Sequence, residues 1–223
     1  MKKNVIHFEE IFKLLKNELK NKEFPNASRI IWKKVINTPF TTLISCILSL
    51  RTKDEVTDKA SIRLLKKYNT PEKIIKLSAK KIESLIYPVG FYKTKSKRII
   101  EISKTLIKNY NGKVPDDFNE LLKLKGVGRK TANIVMLYGY KKKDFLPIDS
   151  HCHQIVNRLG WIKTKTPNQT ELALKKILPK KYWNDFNHLF VGFGQTICVP
   201  ISPFCSKCPI EKFCKKVGVT KSR

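Results

Sequence analysis

Apolar residues recur along this chain at helical spacing, and no credible run of them alternates as a strand does. Phe40, Leu43, Ile44, Ile47 and Leu48 fall at i, i+3, i+4, i+7 and i+8, behind Thr38 as an N-cap and Pro39 at the first helical position. Ile99, Ile102, Ser103, Leu106, Ile107 and Tyr110 line one face of a second helix, predicted to open at Thr94 and stop near Gly112. Thr70-Pro71 opens a shorter one, and Ser78 caps the next, which carries Ile82, Leu85 and Ile86. Thr166-Pro167-Asn168-Gln169 fits a capping box with Pro just inside it. Trp183, Phe186, Leu189, Phe190 and Phe193 form the face of a late helix, predicted to end over Gly192 to Gly194. There is no fixed-period repeat and no long Pro/Gly/Ser linker. The pattern predicts an all-α protein of about ten helices with short connections.

Composition narrows the class of partner. The 223 residues suffice for one large domain or two small ones with a buried core, and 41% hydrophobic and 10% aromatic residues are those of a folded chain. The net charge of +28, from 46 Lys+Arg against 18 Asp+Glu, attracts polyanions. DNA or RNA is the first candidate and an anionic membrane surface the second. The bland alternative is compositional drift, because nearly all the basic residues are Lys and Ile and Asn are plentiful. The longest apolar stretch, around Leu43 to Leu50, is too short to span a bilayer and is interrupted by Ser45 and Ser49. Charged residues break any signal-type run after Met1. A soluble, intracellular (cytoplasmic), monomeric protein is expected. Cys46, in the most apolar helix, reads as a buried small hydrophobe.

Two segments carry candidate chemistry. Cys198, Cys205, Cys208 and Cys214 lie within the last 26 residues at C-x6-C-x2-C-x5-C spacing, close enough to converge on one inorganic centre. Zinc sites favour paired C-x2-C knuckles held apart, whereas this tail has one C-x2-C and two longer gaps, and four thiolates without His suit a cubane cluster. Residues 121–133 read Leu-Leu-Lys-Leu-Lys-Gly-Val-Gly-Arg-Lys-Thr-Ala-Asn. A short helix from about Asp117 to Lys123 precedes Gly126-Val127-Gly128, and another runs from near Gly128 to about Tyr138. Glycines one residue apart permit a tight hairpin with positive φ and expose N–H groups at a helix N-terminus, an arrangement that binds phosphate without side chains. Arg129 and Lys130 follow directly.

Leu-Lys-Gly-Val-Gly-Arg-Lys-Thr-Ala resembles the helix-hairpin-helix of the endonuclease III family of DNA glycosylases. Ile148-Asp149-Ser150-His151 is similar to that family's Val-Asp-Thr-His segment, and Asn157-Arg158-Leu159-Gly160 continues the likeness. The cysteine spacing is that of the family's [4Fe-4S] loop. The resemblance runs in unbroken order from about Phe40 to Cys214.

What the resemblance implies is a bifunctional DNA glycosylase and AP lyase of base excision repair, acting on oxidised pyrimidines or abasic sites in double-stranded DNA. It implies two helical lobes, residues 33–143 and residues 1–32 with 144–223, and an active site in the groove between them. Lys130 matches the nucleophile, whose amine must be neutral to attack C1′, and Asp149 the catalytic aspartate; as a residue ahead of a helix, Asp149 is also a natural N-cap. His151 matches the family's His, touching DNA or supporting the site. A His151-Cys152-His153 metal site is disfavoured, because neighbours at i and i+2 on a helix do not point the same way. Leu50 and Arg51 fall in the loop that enters the DNA stack, with Arg51 where the family commonly has Gln, and Phe91 in the loop that supplies an apolar wedge. Gly126, Val127, Gly128 and Arg129 fall at the phosphate-binding hairpin, where Lys125 replaces the usual Pro and adds a cation. Cys198, Cys205, Cys208 and Cys214 would hold the [4Fe-4S] cluster. The alternatives are a thymine-mismatch glycosylase on the same scaffold and a basic protein that binds DNA without catalysis.

Overall fold

A computed structural model describes residues 6–20 and 37–223; among them there is no strand. The chain divides into two compact units, Pro25–Phe145 on one side and Met1–Phe24 with Leu146–Arg223 on the other. A lobe boundary at residue 32 or 33 lies outside the described residues. No helix among the described residues is long and apolar enough to cross a membrane.

The continuous unit is built on α2 (Pro39–Ser49), in which every residue from Phe40 to Leu48 is buried. A helix buried all round is expected at the centre of a core, and Thr41, Thr42 and Ser45 are interior beside the leucines and isoleucines. Thr38 caps it as the sequence predicts, its Oγ1 accepting from Thr41 N–H while its own N–H donates back to Thr41 Oγ1, which completes the box. Around it lie α3 (Asp54–Leu65), α4 (Pro71–Ile75), α5 (Ala79–Ile86), α6 (Tyr92–Tyr110), α7 (Phe118–Lys123) and α8 (Arg129–Ile134), which a π-helical turn, Val135–Gly139, continues. Thr70 and Ser78 cap α4 and α5 through their hydroxyls. The predicted start of α6 at Thr94 is two residues late. The Phe91 carbonyl already accepts from Lys95 N–H at 2.9 Å, so the helix is entered through a left-handed Phe91 and not through a polar cap.

The second unit joins α1 (Phe8–Leu19) to α9 (Ser150–Arg158), α10 (Pro167–Ile177) and α11 (Trp183–Thr196). Phe12 of α1 packs among Tyr182, Phe186 and Phe190, and Phe186 stacks on Phe190 at 4.2 Å. Thr166 caps α10, but Gln169 bonds the N–H of Lys165 at 2.9 Å instead of closing a box on Thr166. The glycines predicted to end α11 lie inside it. A Cβ on Gly194 would stand 2.7 Å from His151 Nδ1, so the glycine is there to let α9 and α11 touch. The described residues hold eleven α-helices, one more than the pattern suggested.

Candidate active site and cysteine loop

Asp117 opens the hairpin, its carboxylate accepting from Asn119 and Glu120 N–H at 2.8 and 3.0 Å. The chain turns after α7, and buried Val127 donates its N–H to the Leu124 carbonyl at 3.0 Å, pinning the turn to the core. Of the two glycines, Gly126 takes positive φ (83°) while Gly128 is extended at −98° and caps α8. A Cβ on Gly126 would stand 2.6 Å from Arg98 Nη1, whereas one on Gly128 would meet nothing within 4 Å. Gly128 therefore presents bare backbone to open space, as an approaching phosphodiester requires. Lys125, the departure from Pro, pairs with Glu101 at 2.9 Å, and Arg98 reaches the same carboxylate at 3.4 Å.

Lys130 is the second residue of α8 and is exposed. Its ammonium acts on the buried thiol of Cys46 in α2, which burial pushes up to about 12 and the lysine charge pulls back. Arg129 lies 5.0 Å over the Phe118 ring, and its carbonyl accepts from Asn133 at 3.0 Å. Both interactions hold the first turn of α8.

Asp149, in the other unit, does cap α9: its Oδ1 accepts from Cys152 N–H at 2.9 Å. It follows the buried run Leu146-Pro147-Ile148, whose Pro147 carbonyl takes a hydrogen bond from buried Asn187 at 3.1 Å. His151 turns its Nδ1 toward Gly194, buried and without a hydrogen-bond partner. His153 points elsewhere, to Thr170 Oγ1 at 2.6 Å, and burial holds its pKa below the usual value.

Leu50 and Phe91 are 43% and 60% exposed, the reverse of a core role. The Arg51 guanidinium lies 5.1 Å over the Phe91 ring. Sequence reasoning missed Lys95 beneath them. One lysine in a helix rich in lysines carries no local signal, yet this one is buried and donates to the Leu48 and Leu50 carbonyls.

Cys198, Cys205, Cys208 and Cys214 line one cavity, floored by Ile155, Phe193 and Ile210. Burial raises the pKa of Cys198, Cys208 (to about 12) and Cys214, and neighbouring cysteines push the same way. Among the described residues, no three His, Cys, Asp or Glu side chains are drawn together as a ligand set. Four thiols around one recess nevertheless fit a group that needs four soft ligands and supplies compensating positive charge. The sequence singled out these cysteines but not Arg158. It is buried at the rim, and it donates to the Cys198, Val199 and Pro200 carbonyls and to Cys198 Sγ.

Hairpin, helical core and cysteine loop together make a helix-hairpin-helix protein with a four-cysteine tail. Residues 44–180, more than half of the chain, match the HhH-GPD superfamily of base excision DNA repair proteins. Endonuclease III of Thermotoga maritima is 50% identical over 177 residues, covering 79% of this chain and 83% of its own length. A solved structure of a trapped endonuclease III–DNA covalent intermediate superposes with a TM-score of 0.79 at 33% identity, covering 95% of this chain and 97% of that one. A thermostable thymine-DNA glycosylase superposes with a TM-score of 0.77 at 26% identity, covering 93% of each chain. The chain belongs to the endonuclease III family, and it is a base excision repair enzyme with DNA glycosylase and AP lyase activity.

Proposed function

We propose that this enzyme excises oxidised pyrimidines from duplex DNA and cleaves abasic sites, with Lys130 as nucleophile and Asp149 as the carboxylate of the reaction. The observation that carries the reading is the hairpin. Gly128 offers open backbone for a phosphate, and two residues on, Lys130 places an exposed amine in the first turn of α8. A duplex held there would have its target nucleotide extruded, because neither the glycosidic bond nor C1′ is accessible inside the stack.

The neutral Lys130 amine attacks C1′, the bond to the base breaks, and the base leaves with a proton. Opening of the sugar gives an imine between Nζ and C1′. The imine acidifies the C2′ proton. Its removal expels the 3′ phosphate by β-elimination, and water then releases the lysine from the cleaved strand. Asp149 serves by accepting the proton that Lys130 must lose and by stabilising positive charge on the sugar. Its bond to Cys152 N–H uses Oδ1, fixing the carboxylate while its charge remains.

Cys198, Cys205, Cys208 and Cys214 would hold a [4Fe-4S] cluster. When bound, that group supplies a rigid basic loop against DNA phosphates, with no part in bond cleavage. Lys207, Lys212, Lys215 and Lys216 lie between and beside these cysteines.

Borohydride trapping tests the reading. Wild type should form a covalent adduct with abasic duplex DNA, and Lys130→Gln should form none while binding the same DNA. A wild type that binds but never traps would make the protein a non-catalytic DNA binder. Arg51, where the family commonly has Gln, favours a second reading on the same scaffold, a thymine-mismatch specificity. A panel of duplexes, each carrying one lesion or mismatch, separates the two.

A further inference from the structure

Arg51 and Phe91 share a backbone feature: φ is 54° at one and 58° at the other. A residue with a Cβ enters that left-handed region only at a cost, and stays only where its surroundings hold it. Here the surroundings are specific. The Lys95 side chain, 7% exposed, runs beneath both turns. Its Nζ donates to the Leu48 carbonyl at 2.8 Å, the Leu50 carbonyl at 2.5 Å and Thr52 Oγ1 at 3.0 Å, so each of its three N–H groups has an oxygen. Leu48 and Leu50 lie at the C-terminus of α2, where carbonyls lack helical partners and the helix dipole is negative.

The second turn is tied to the first through the same hydroxyl. Thr52 Oγ1 also accepts from Gly90 N–H at 3.1 Å. A Cβ on Gly90 would lie 2.7 Å from the Arg51 carbonyl, so the two backbones pass as closely as only glycine permits. On the outside, the Arg51 guanidinium closes over the Phe91 ring at 5.1 Å. Leu50, Arg51 and Phe91 thus stand on one knot of backbone, although 40 positions separate the two turns in sequence. An apolar side chain would fill the interior with less desolvation than an ammonium does. What an apolar side chain cannot do is aim two carbonyls and a hydroxyl at one point.

We propose that Lys95 is a positioning residue: it locks the two turns into one rigid probe, so that Leu50, Arg51 and Phe91 enter the DNA together as the target nucleotide leaves the stack. This rests on the reading that those three residues contact DNA. Extrusion forfeits stacking and pairing at once, and probes that must first be ordered recover less of that loss than probes already fixed.

Single-turnover rates on two duplexes test it, one with a paired target base (the substrate giving wild type its highest rate) and one with an abasic site at that position. An abasic site has no base to extrude. Lys95→Met should lose at least about tenfold more rate on the paired target than on the abasic site. Gly90→Ala, which keeps the ammonium and pushes the turns apart, should show the same bias. Equal losses on both duplexes, or rates within about twofold of wild type in folded protein, overturn the proposal. Should Lys95→Met not fold, Gly90→Ala decides alone. A wild type that forms no borohydride adduct on the abasic duplex removes the underlying reading, and this proposal with it. An adduct with unbiased variants removes only the role of Lys95.

Discussion

Arg158 donates from Nη1 to the Sγ of Cys198 at 3.4 Å, across 40 residues of sequence. The same guanidinium holds the Val199 and Pro200 carbonyls at 2.9 and 2.7 Å, so it fixes the first cysteine of the loop and the chain beyond it in one planar fork. Arg158→Met should leave three part-buried carbonyls without this donor and destabilise the protein by on the order of 1–2 kcal/mol. Thermal unfolding measures this. Iron content and visible absorbance per mole, the readouts of the proposed cluster, should fall in parallel, and Arg158→Lys, with a single nitrogen for several acceptors, should restore little of either.

Gly194 and His151 are predicted to be coupled. Gly194→Ala puts a methyl group 2.7 Å from His151 Nδ1 and 2.8 Å from its Cβ, and should destabilise by about 1–3 kcal/mol. The displaced turn carries Asp149, so activity should fall further than stability. His151→Ala should relieve part of the defect, making the double variant more stable than the sum of the two single changes. Strict additivity in a double-mutant cycle would show that the two helices do not press on each other there.

Asp149 supports two roles that substitution can separate. Asp149→Asn keeps an oxygen for the Cys152 N–H and should unfold within about 0.5 kcal/mol of wild type, whereas Asp149→Ala should lose roughly 1 kcal/mol with the cap. Both should be severely impaired in base excision. If Asn retains full excision, the carboxylate is a cap and nothing more.

Lys95 gives a pH dependence of definite sign. Burial lowers its pKa from 10.5 to about 8, so between those values the unfolded chain holds a proton that the folded chain has released. Stability from this group therefore rises with pH across that window; below about 8 both states are protonated and the penalty for burying the cation is constant. Relative to Lys95→Met, wild type should gain on the order of 3 kcal/mol of unfolding free energy between pH 7 and pH 10.5. Paired urea titrations at the two pH values measure it, and a difference that stays flat or falls contradicts the assignment.

The parts of this molecule legible in its sequence are those that depend on near neighbours. Thr38, Thr70, Ser78 and Thr166 are caps because a short polar side chain sits beside the start of an apolar stripe, which a linear reading detects. The hairpin and the cysteines were found the same way, by spacing. The start of α6 was misplaced because Phe91 is held in a left-handed conformation by a packed turn, and nothing near Thr94 reveals that. Gly192 and Gly194 look like terminators until His151, some 40 residues earlier, is known to lie against one of them. Lys95 and Arg158 were missed for a related reason. In a chain with 46 basic residues, the few that turn inward are marked only by the distant carbonyls they bind.

Phe12 packs on Tyr182, Phe186 and Phe190, Lys16 pairs with Asp185, and Glu10 pairs with Lys212. During synthesis the apolar stripe of α1 therefore waits, unsheltered, until about 170 further residues have been added. For that interval α1 exposes a row of apolar side chains, which leaves the partly made chain prone to aggregate.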